Sequence, residues 1–330
     1  MADVSGLEPL VRLLSDGRVH SGQALGEALG VSRAAVWKQL QKLEQLGLQV
    51  SAVKGSGYQL AAPLDLLDGQ RLRATLRASQ SVPLVVQLET VVDSTNQQAM
   101  AWAEWAAYDG TVLAVLAEQQ LAGRGRRGRQ WVSPFAANIY LSLVASFSGG
   151  VAALEGLSLA VGVAVRRALL RLGCQPQLKW PNDILCDGKK LGGILLEITG
   201  DPVGDCRVII GVGLNVAMSE RAATGIDQPW TDLASQLIDV PSRTDLAATL
   251  IKEILKVTNH YQRDGFVFWQ GEWMAASAFT GETVQVQSAS GVVFGTMIGV
   301  DADGALLLEG EAGEIKRIIG GEISLRLKAN

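Results

Sequence analysis

The stretch from Gly123 to Trp131 holds the densest chemistry in this chain. The run GRGRRGRQW sets Arg124, Arg126, Arg127 and Arg129 among three glycines, with no acidic residue between them. Four guanidiniums on so pliable a backbone require an anion among them. By charge alone that anion is a phosphate, a carboxylate or a nucleic acid. Gly123, Gly125 and Gly128 also spell G-x-G-x-x-G, the pattern of dinucleotide-binding turns. That pattern works only where the third glycine opens a helix whose N-terminus meets a pyrophosphate. Here Gln130, Trp131, Val132, Ser133 and Pro134 follow, a poor start for a long helix, and no acidic residue lies about 20 positions on to hold a ribose. A merely solvated loop is the plain alternative, but solubility does not favour four charges of one sign so close together.

Other polar groups fall at places where chains bind ligands. Asp93-Ser94-Thr95-Asn96 sits at a strand-to-helix junction, where free amides meet polar ligand edges, although the same residues can simply cap a helix. Lys179-Trp180-Pro181-Asn182-Asp183 follows a short strand and, alone, reads equally as a turn. Lys189 and Lys190 precede the apolar strand Leu191–Glu197, and Gly211-Val212-Gly213-Leu214-Asn215 ends another. Together, these cations, an Asn-Asp pair and glycine edges suggest a nucleotide and a metal ion. Histidine-based chemistry is disfavoured, since His20 and His260 are the only two and both lie far from the loop. Cys174, Cys186 and Cys206 lack paired spacing, which suits a reducing cytosol better than disulfides or zinc.

The elements that position these residues follow from pattern. At 330 residues the chain has room for two or three domains. Its net charge of -4 confines any nucleic-acid contact to local patches. MADVSGLEPL is no signal peptide, and Ala152–Leu172 carries Glu155, Arg166, Arg167 and Arg171, so a buried helix is expected there and not a membrane span. A cytoplasmic protein is the expectation. At the N-terminus Leu7, Leu10, Leu13 and Leu14 make one helical face; Ser21 and Ser32 stand as N-caps of two further helices around Gly30, and Gly47 ends the last. A hairpin from Leu48–Val53 through Lys54-Gly55-Ser56-Gly57 to Tyr58-Gln59-Leu60 completes a winged helix-turn-helix. Its outward face, Ser32, Arg33, Trp37, Lys38 and Gln41, suits phosphates and base edges. A packing or dimerisation module is the alternative, because the module is near neutral.

After the linker Ala61-Ala62-Pro63 comes a short helix, about Asp68–Leu76, and then a mixed α/β region. Its expected strands are Leu84–Glu89, Thr111–Glu118, Asn138–Ser146, Gln177–Lys179, Leu191–Ile198 and Val208–Val216, with helices at Ser94–Ala106, Ala153–Leu172 and Arg243–Gln262. From Gly281, short strands at Thr283–Gln287, Val292–Val300, Ala305–Glu309 and Glu314–Ile319 alternate with glycine turns, as in a small SH3-like β-barrel. The divisions expected are 1–63, 64–280 and 281–330.

The series DSTN, GRGRRGRQW, KWPND, KKLGGILLE and GVGLN, in this order, resembles the biotin protein ligases. With a winged helix-turn-helix in front and GGEISLR near the end, the chain is similar to their bifunctional bacterial form, both ligase and biotin-operon repressor. The resemblance covers essentially the whole chain. It implies an α+β multidomain protein whose core has the class II synthetase-like biotin/lipoate ligase fold. It implies that Ser94, Thr95, Asn96, Gln120, Arg124, Gly125, Arg126, Lys190, Gly211 and Gly213 bind biotin. Arg126, Arg129, Trp131, Lys179, Asn182 and Asn215 would bind the nucleotide, with Trp131 against adenine. Lys190, Arg126 and Lys179 would be catalytic, and Asp183 would hold Mg²⁺. Arg127 would join the loop that orders over the adenylate.

Biotin, ATP and Mg²⁺ are thus the implied ligands. The implied partners are the biotin carboxyl carrier protein of acetyl-CoA carboxylase, biotin-operon DNA and a second copy recruited by biotinoyl-5′-AMP, with no membrane. Dimerisation is expected at an exposed sheet edge, Asn138–Ser146 or Leu191–Ile198. Joining a carboxylate to the α-phosphate of ATP meets mainly charge repulsion and misorientation, which fixed cations relieve without a general base. Three rivals remain at this stage: a ligase that has lost repression, a purely nucleic-acid-binding protein, and a lipoate ligase.

Overall fold

The N-terminal leucine spacing folds into three helices, α1 (Glu8–Leu14), α2 (Gly22–Leu29) and α3 (Arg33–Leu43), around Leu10, Leu14, Leu25, Val36, Leu40 and Leu43. The computed structural model describes residues 5–77, 82–106, 109–288, 291–319 and 324–327. Ser21 and Ser32 cap α2 and α3 with their hydroxyls, accepting from the Ala24 and Ala35 amides at 3.0 and 3.2 Å. The hairpin β1 (Val50–Val53) and β2 (Gly57–Leu60) follows; Leu48, expected in its first strand, is instead buried in the helical core. Ser32, Arg33, Trp37, Lys38 and Gln41 are exposed along α3 and its cap. Trp37 is 53% accessible, unusual for so large an apolar ring.

Beyond α4 (Gly69–Arg77) lies the central sheet. Its strands are β3 (Leu84–Val92), β4 (Val112–Gln120), β5 (Asn138–Phe147), β6 (Gln177–Lys179), β7 (Asp183–Cys186), β8 (Lys189–Gly200) and β9 (Cys206–Asn215), in the order β3-β4-β5-β9-β8-β7-β6. β3 and β4 are parallel and joined by helix α5 (Thr95–Trp105); the other pairings are antiparallel. Side chains alternate across the sheet. Leu113 and Val115 therefore meet Ala99 and Ala103 of α5, while Ala114 and Leu116 join the larger core on the other face. That second face is covered by α6 (Leu157–Leu170) and α7 (Arg243–Asp264), with α8 (Val267–Ala276) packed on α6. The helix expected from Ala153 starts only at Leu157, because Gly156 takes a φ of 78° and separates it from a short 3-10 turn. Among the described residues no helix is long and apolar enough to cross a membrane.

Of the two expected edges, one fails and the other holds in part. Asn138–Ser146 lies within β5, hydrogen-bonded to β4 on one side and β9 on the other. Leu191–Ile198 lies within β8, which is also interior, yet β7 pairs with it only as far as Gly193. Among the described residues, Leu195–Gly200 has strand β9 on one side and no strand on the other.

The C-terminal strands β10 (Thr283–Ser288), β11 (Gly291–Val300), β12 (Leu306–Glu309), β13 (Ile315–Ile318) and β14 (Ser324–Leu327) form an antiparallel sheet ordered β13-β12-β11-β10-β14. This corrects the expected barrel: the sheet is open. Its two outer strands are four residues each and do not pair among the described residues, so the ring is not closed. Of GGEISLR, residues 320–323 lie outside the described residues.

One buried ion pair fastens these parts. Arg243 at the start of α7 and Glu118 in β4, 2% and 7% accessible in their side chains, meet at 2.6 Å. Leu67 N donates to the other Glu118 oxygen at 2.7 Å, and Arg243 also donates to Asp65 O and Asn138 O. Removing one partner strands a buried charge. Glu118→Ala is therefore expected to lower unfolding stability by about 3–5 kcal/mol, read from the urea midpoint; a loss below ~1 kcal/mol would show the pair to be dispensable.

Candidate functional site

The arginine run folds back on itself. Trp131 N donates to Gly123 O and Gly125 N to Arg129 O, each at 2.8 Å, closing a small hairpin. Its tip is a 3-10 turn, Arg126–Gly128, with φ of 61° at Arg127 and 71° at Gly128. Glycine takes that backbone freely, whereas at Arg127 it costs about 1–2 kcal/mol, strain of the kind that collects at ligand sites. Arg124, Arg126, Arg127 and Arg129 all line one cavity of about 580 Å³, a size suited to a cofactor or small substrate.

One end of this cavity is built from neutral hydrogen-bonding groups. Ser94 is the N-cap residue of α5 but does not spend its hydroxyl on capping, and it lines the cavity. Thr95 donates to Gln120 Oε1 from both N and Oγ1, at 2.9 and 3.1 Å, and Gln120 Nε2 donates to Ser133 Oγ at 3.0 Å. Buried Ser142 lies 2.6 Å from Asn96 Oδ1. Asn96 Nδ2 in turn donates to Glu197 Oε2 at 2.8 Å, and Glu197 Oε1 pairs with Arg124 at 2.9 Å. Gly211 of β9 passes directly beneath: a Cβ there would fall 2.3 Å from Asn96 Oδ1.

Two residues further along β9 the character changes to charge. Asp183 Oδ1 meets Lys190 Nζ at 2.7 Å, and Oδ2 lies 3.5 Å from Lys179 Nζ. Arg126 donates to Asn182 Oδ1 at 3.2 Å. Burial holds the Arg126 guanidinium below its ordinary pKa; Asp183 opposes that shift, while Arg127 and Arg129 add to it. Trp131 lies flat against the glycines of β8 and β9, so close that a Cβ at Gly213 would fall 2.5 Å from its ring. Lys190 Nζ is 5.6 Å from the ring centre, within cation–π range. The Trp131 Nε1 is buried without a hydrogen-bond partner, a donor left for something else.

All the sequence-derived biotin and nucleotide residues line this cavity except Asn215. Asn215 is buried and donates to Thr231 O at 3.0 Å and Lys190 O at 3.5 Å, so it braces the chain behind Lys190 and does not form cavity wall. The helix-turn-helix residues are separate, on α3. Asp183 is a single carboxylate already flanked by two lysines, and no three His, Cys, Asp or Glu residues cluster as a metal site among the described residues. Sequence reasoning missed Ser142, Glu197 and the wall segment at Asp227, Gln228 and Pro229. That segment is held by Lys190 N to Pro229 O and Thr231 N to Lys190 O, at 3.0 and 2.9 Å. Its one sequence signal is a Pro-Trp pair that reads as an ordinary loop.

Comparison with known proteins matches the Biotin/lipoate A/B protein ligase family at residues 88–215, an HTH domain at 7–59 and the Biotin protein ligase C terminal domain at 279–326. The bifunctional ligase/repressor BirA of Escherichia coli K12 is 39% identical over 319 residues, 96% of each chain. Its Bacillus subtilis counterpart is 32% identical over 310 residues, 92% of this chain and 93% of that one. Among solved structures, a biotin protein ligase from Aquifex aeolicus in complex with biotin and ATP aligns with a TM-score of 0.61 and 28% identity, covering 74% of this chain and 99% of that one.

The Trp131 contact yields a test that needs no ligand. Gly213→Ala is expected to push the indole off β9 into water, read as a red shift in the emission difference against a Trp131→Phe reference. An unchanged difference spectrum would show that the ring tolerates the added methyl.

Proposed function

The chain belongs to the bifunctional ligase/repressor family of biotin protein ligases, and from that premise we propose how its cavity works. The polarity of the cavity along β9 carries the reading. Neutral donors and acceptors around Gly211 match the uncharged ureido head of biotin, and cations around Gly213 match the end where its carboxylate meets ATP. Ser94, Thr95, Asn96 and Gln120 hold the head. Arg124 and Gly125, at the hairpin base, close that side. Lys190, Lys179, Arg126 and Arg129 neutralise the carboxylate and the phosphates, while Trp131, Asn182 and the segment at 227–229 bound the nucleotide.

In the first step a carboxylate oxygen of biotin attacks the α-phosphorus of ATP, and pyrophosphate leaves with its electron pair. Cations fixed in place lower this barrier because both reactants are anionic. In the second step an acceptor lysine amine attacks the acyl carbon of the mixed anhydride. AMP departs and the amine loses its proton to solvent. Lys190 stabilises the departing phosphate, and the arginine hairpin shields the anhydride from water. Mg²⁺ commonly enters such sites with the nucleotide, taking one or two carboxylates and the substrate's own phosphates. Asp183 would have to give up its pairing with Lys190 or Lys179 to hold such an ion, which would supply charge neutralisation at the leaving pyrophosphate.

The acceptor in this reading is the lysine of a biotin carboxyl carrier domain. With adenylate bound, two copies join and the paired helix-turn-helix modules bind a two-half-site operator. The free side of Leu195–Gly200 in β8, with Ile198 40% accessible, supports edge-to-edge pairing there. The exposed Arg33, Trp37, Lys38 and Gln41 support DNA contact through α3.

Biotin is expected to drive ATP–pyrophosphate exchange and lipoate is not; exchange driven by lipoate alone would reassign the pocket. Arg126→Ala is expected to release the adenylate and biotinylate bystander proteins, measured by blotting, whereas tight retention of adenylate by that variant would sink the account of the hairpin. Operator binding with adenylate present is expected to weaken as salt rises. Absence of any such binding would leave a ligase without repression.

A further inference from the structure

Glu197 does not line the cavity, yet it joins two residues that do. Its carboxylate, 18% accessible, accepts from Asn96 Nδ2 at 2.8 Å on one oxygen and pairs with Arg124 Nη2 at 2.9 Å on the other. An ionised carboxylate only accepts hydrogen bonds, so it dictates which end of the Asn96 amide faces it. Ser142 Oγ, 2.6 Å from Asn96 Oδ1, favours the same orientation from the opposite side. Gly211 lies so close beneath that the amide has little room to swing aside. Asn96 is 4% accessible and thus presents the cavity with one defined pattern of donor and acceptor. Such buried, oriented polar groups discriminate strongly between ligands, because a mismatched ligand leaves them unpaired.

We infer that Glu197 is a positioning residue for the ligase reaction, orienting Asn96 toward the neutral head of biotin and anchoring Arg124 against the same wall. The assignment rests on reading Ser94, Thr95, Asn96 and Gln120 as the biotin pocket. Charge gives Glu197 a second effect. Arg124 stands at the neutral end of the cavity, where an unpaired cation would attract the substrate carboxylate and favour a reversed ligand. Glu197 neutralises Arg124, leaving the Lys190 end as the attractive one for the carboxylate. Its influence therefore falls on biotin and not on ATP.

The test is biotin-dependent ATP–pyrophosphate exchange by the full chain, with KM measured separately for each substrate. Glu197→Gln keeps the shape but must turn an amide NH₂ toward Asn96 or Arg124. It is expected to raise KM for biotin at least about tenfold, with KM for ATP within about twofold and kcat within about threefold. Glu197→Asp keeps the charge and stays nearer the wild type than Gln does. A packing role predicts the reverse order, with the isosteric Gln tolerated and Asp worse, and that order overturns the inference. Ser142→Ala, which removes the other group orienting Asn96 and also a 2.8 Å contact to Thr95 Oγ1, is the second variant and is expected to show the same biotin-specific rise. KM for biotin within about twofold of wild type in Glu197→Gln also overturns it, whatever Ser142→Ala does. Failure of biotin to support exchange in the wild type would instead condemn the pocket reading, so the two failures are separable.

Discussion

The ion pair between Glu118 and Arg243 fixes where the chain enters and leaves the neighbourhood of the cavity. Asp65 and Leu67 bond to it from the segment that follows the N-terminal hairpin. Ala136 N donates to Glu118 O, and Arg243 Nε and Nη2 both donate to Asn138 O, which fixes the first residue of β5. Arg243 itself opens the longest helix. Desolvating two charges costs several kcal/mol per ion, and their mutual attraction repays this only when the remaining donors and acceptors are also satisfied. Here backbone groups from two separate segments, 65–67 and the start of β5, satisfy them, so the pair is tolerable only when those segments have assembled. A pair of leucines could fill the space without demanding any one arrangement.

A second balance of charge governs the cavity. Of the two carboxylates on its wall, Asp183 and Asp227, Asp183 pairs with Lys190 and Lys179, and just behind the wall Glu197 pairs with Arg124. Four arginines and two lysines face this space, so positive charge exceeds what the local carboxylates supply. That excess suits a carboxylate and a triphosphate arriving together, each of which the other would repel in water. Because attack on phosphorus by a carboxylate needs no proton removed from the nucleophile, the site needs no general base. Neither histidine lines the cavity.

How much of this was legible in the sequence depended on whether the meaning of a residue lay beside it in the chain. The arginine hairpin, Ser94 to Asn96 and the Lys179 to Asp183 turn carry several polar groups each within a few positions, and the structure gathers them at one cavity. Ser21 and Ser32 were legible as caps because a cap acts on its own neighbours. Ser142 and Glu197 were not, since each is flanked by apolar residues in its strand and gains a partner only through strand pairing and the packing of α5. Strand order was equally hidden. Periodicity marks β5 and β8 as strands but does not state their neighbours, although the near-continuous apolar run Ile139 to Val144 is what a strand buried on both faces looks like. The open C-terminal sheet failed for the same reason, because closure depends on how far the end strands reach. In α8 the signal was present and went unread: Trp269, Trp273 and Ala276 are buried at helical spacing.

The link between the cavity and the N-terminal module was also invisible in sequence, and it runs through the six residues 131–136. Trp131 lies on the cavity floor against Gly213. Ser133 bonds to Gln120 and to Trp131 O, and Tyr140 holds Pro134 O at 2.7 Å, so the intervening chain is pinned. Phe135 and Ala136 then enter the hydrophobic core of the helix-turn-helix, beside Leu7, Leu10 and Leu14. Read by pattern, the N-terminal module and the arginine hairpin are separate devices more than sixty residues apart; in the fold Phe135 and Ala136, a few residues past the hairpin, complete the module's core.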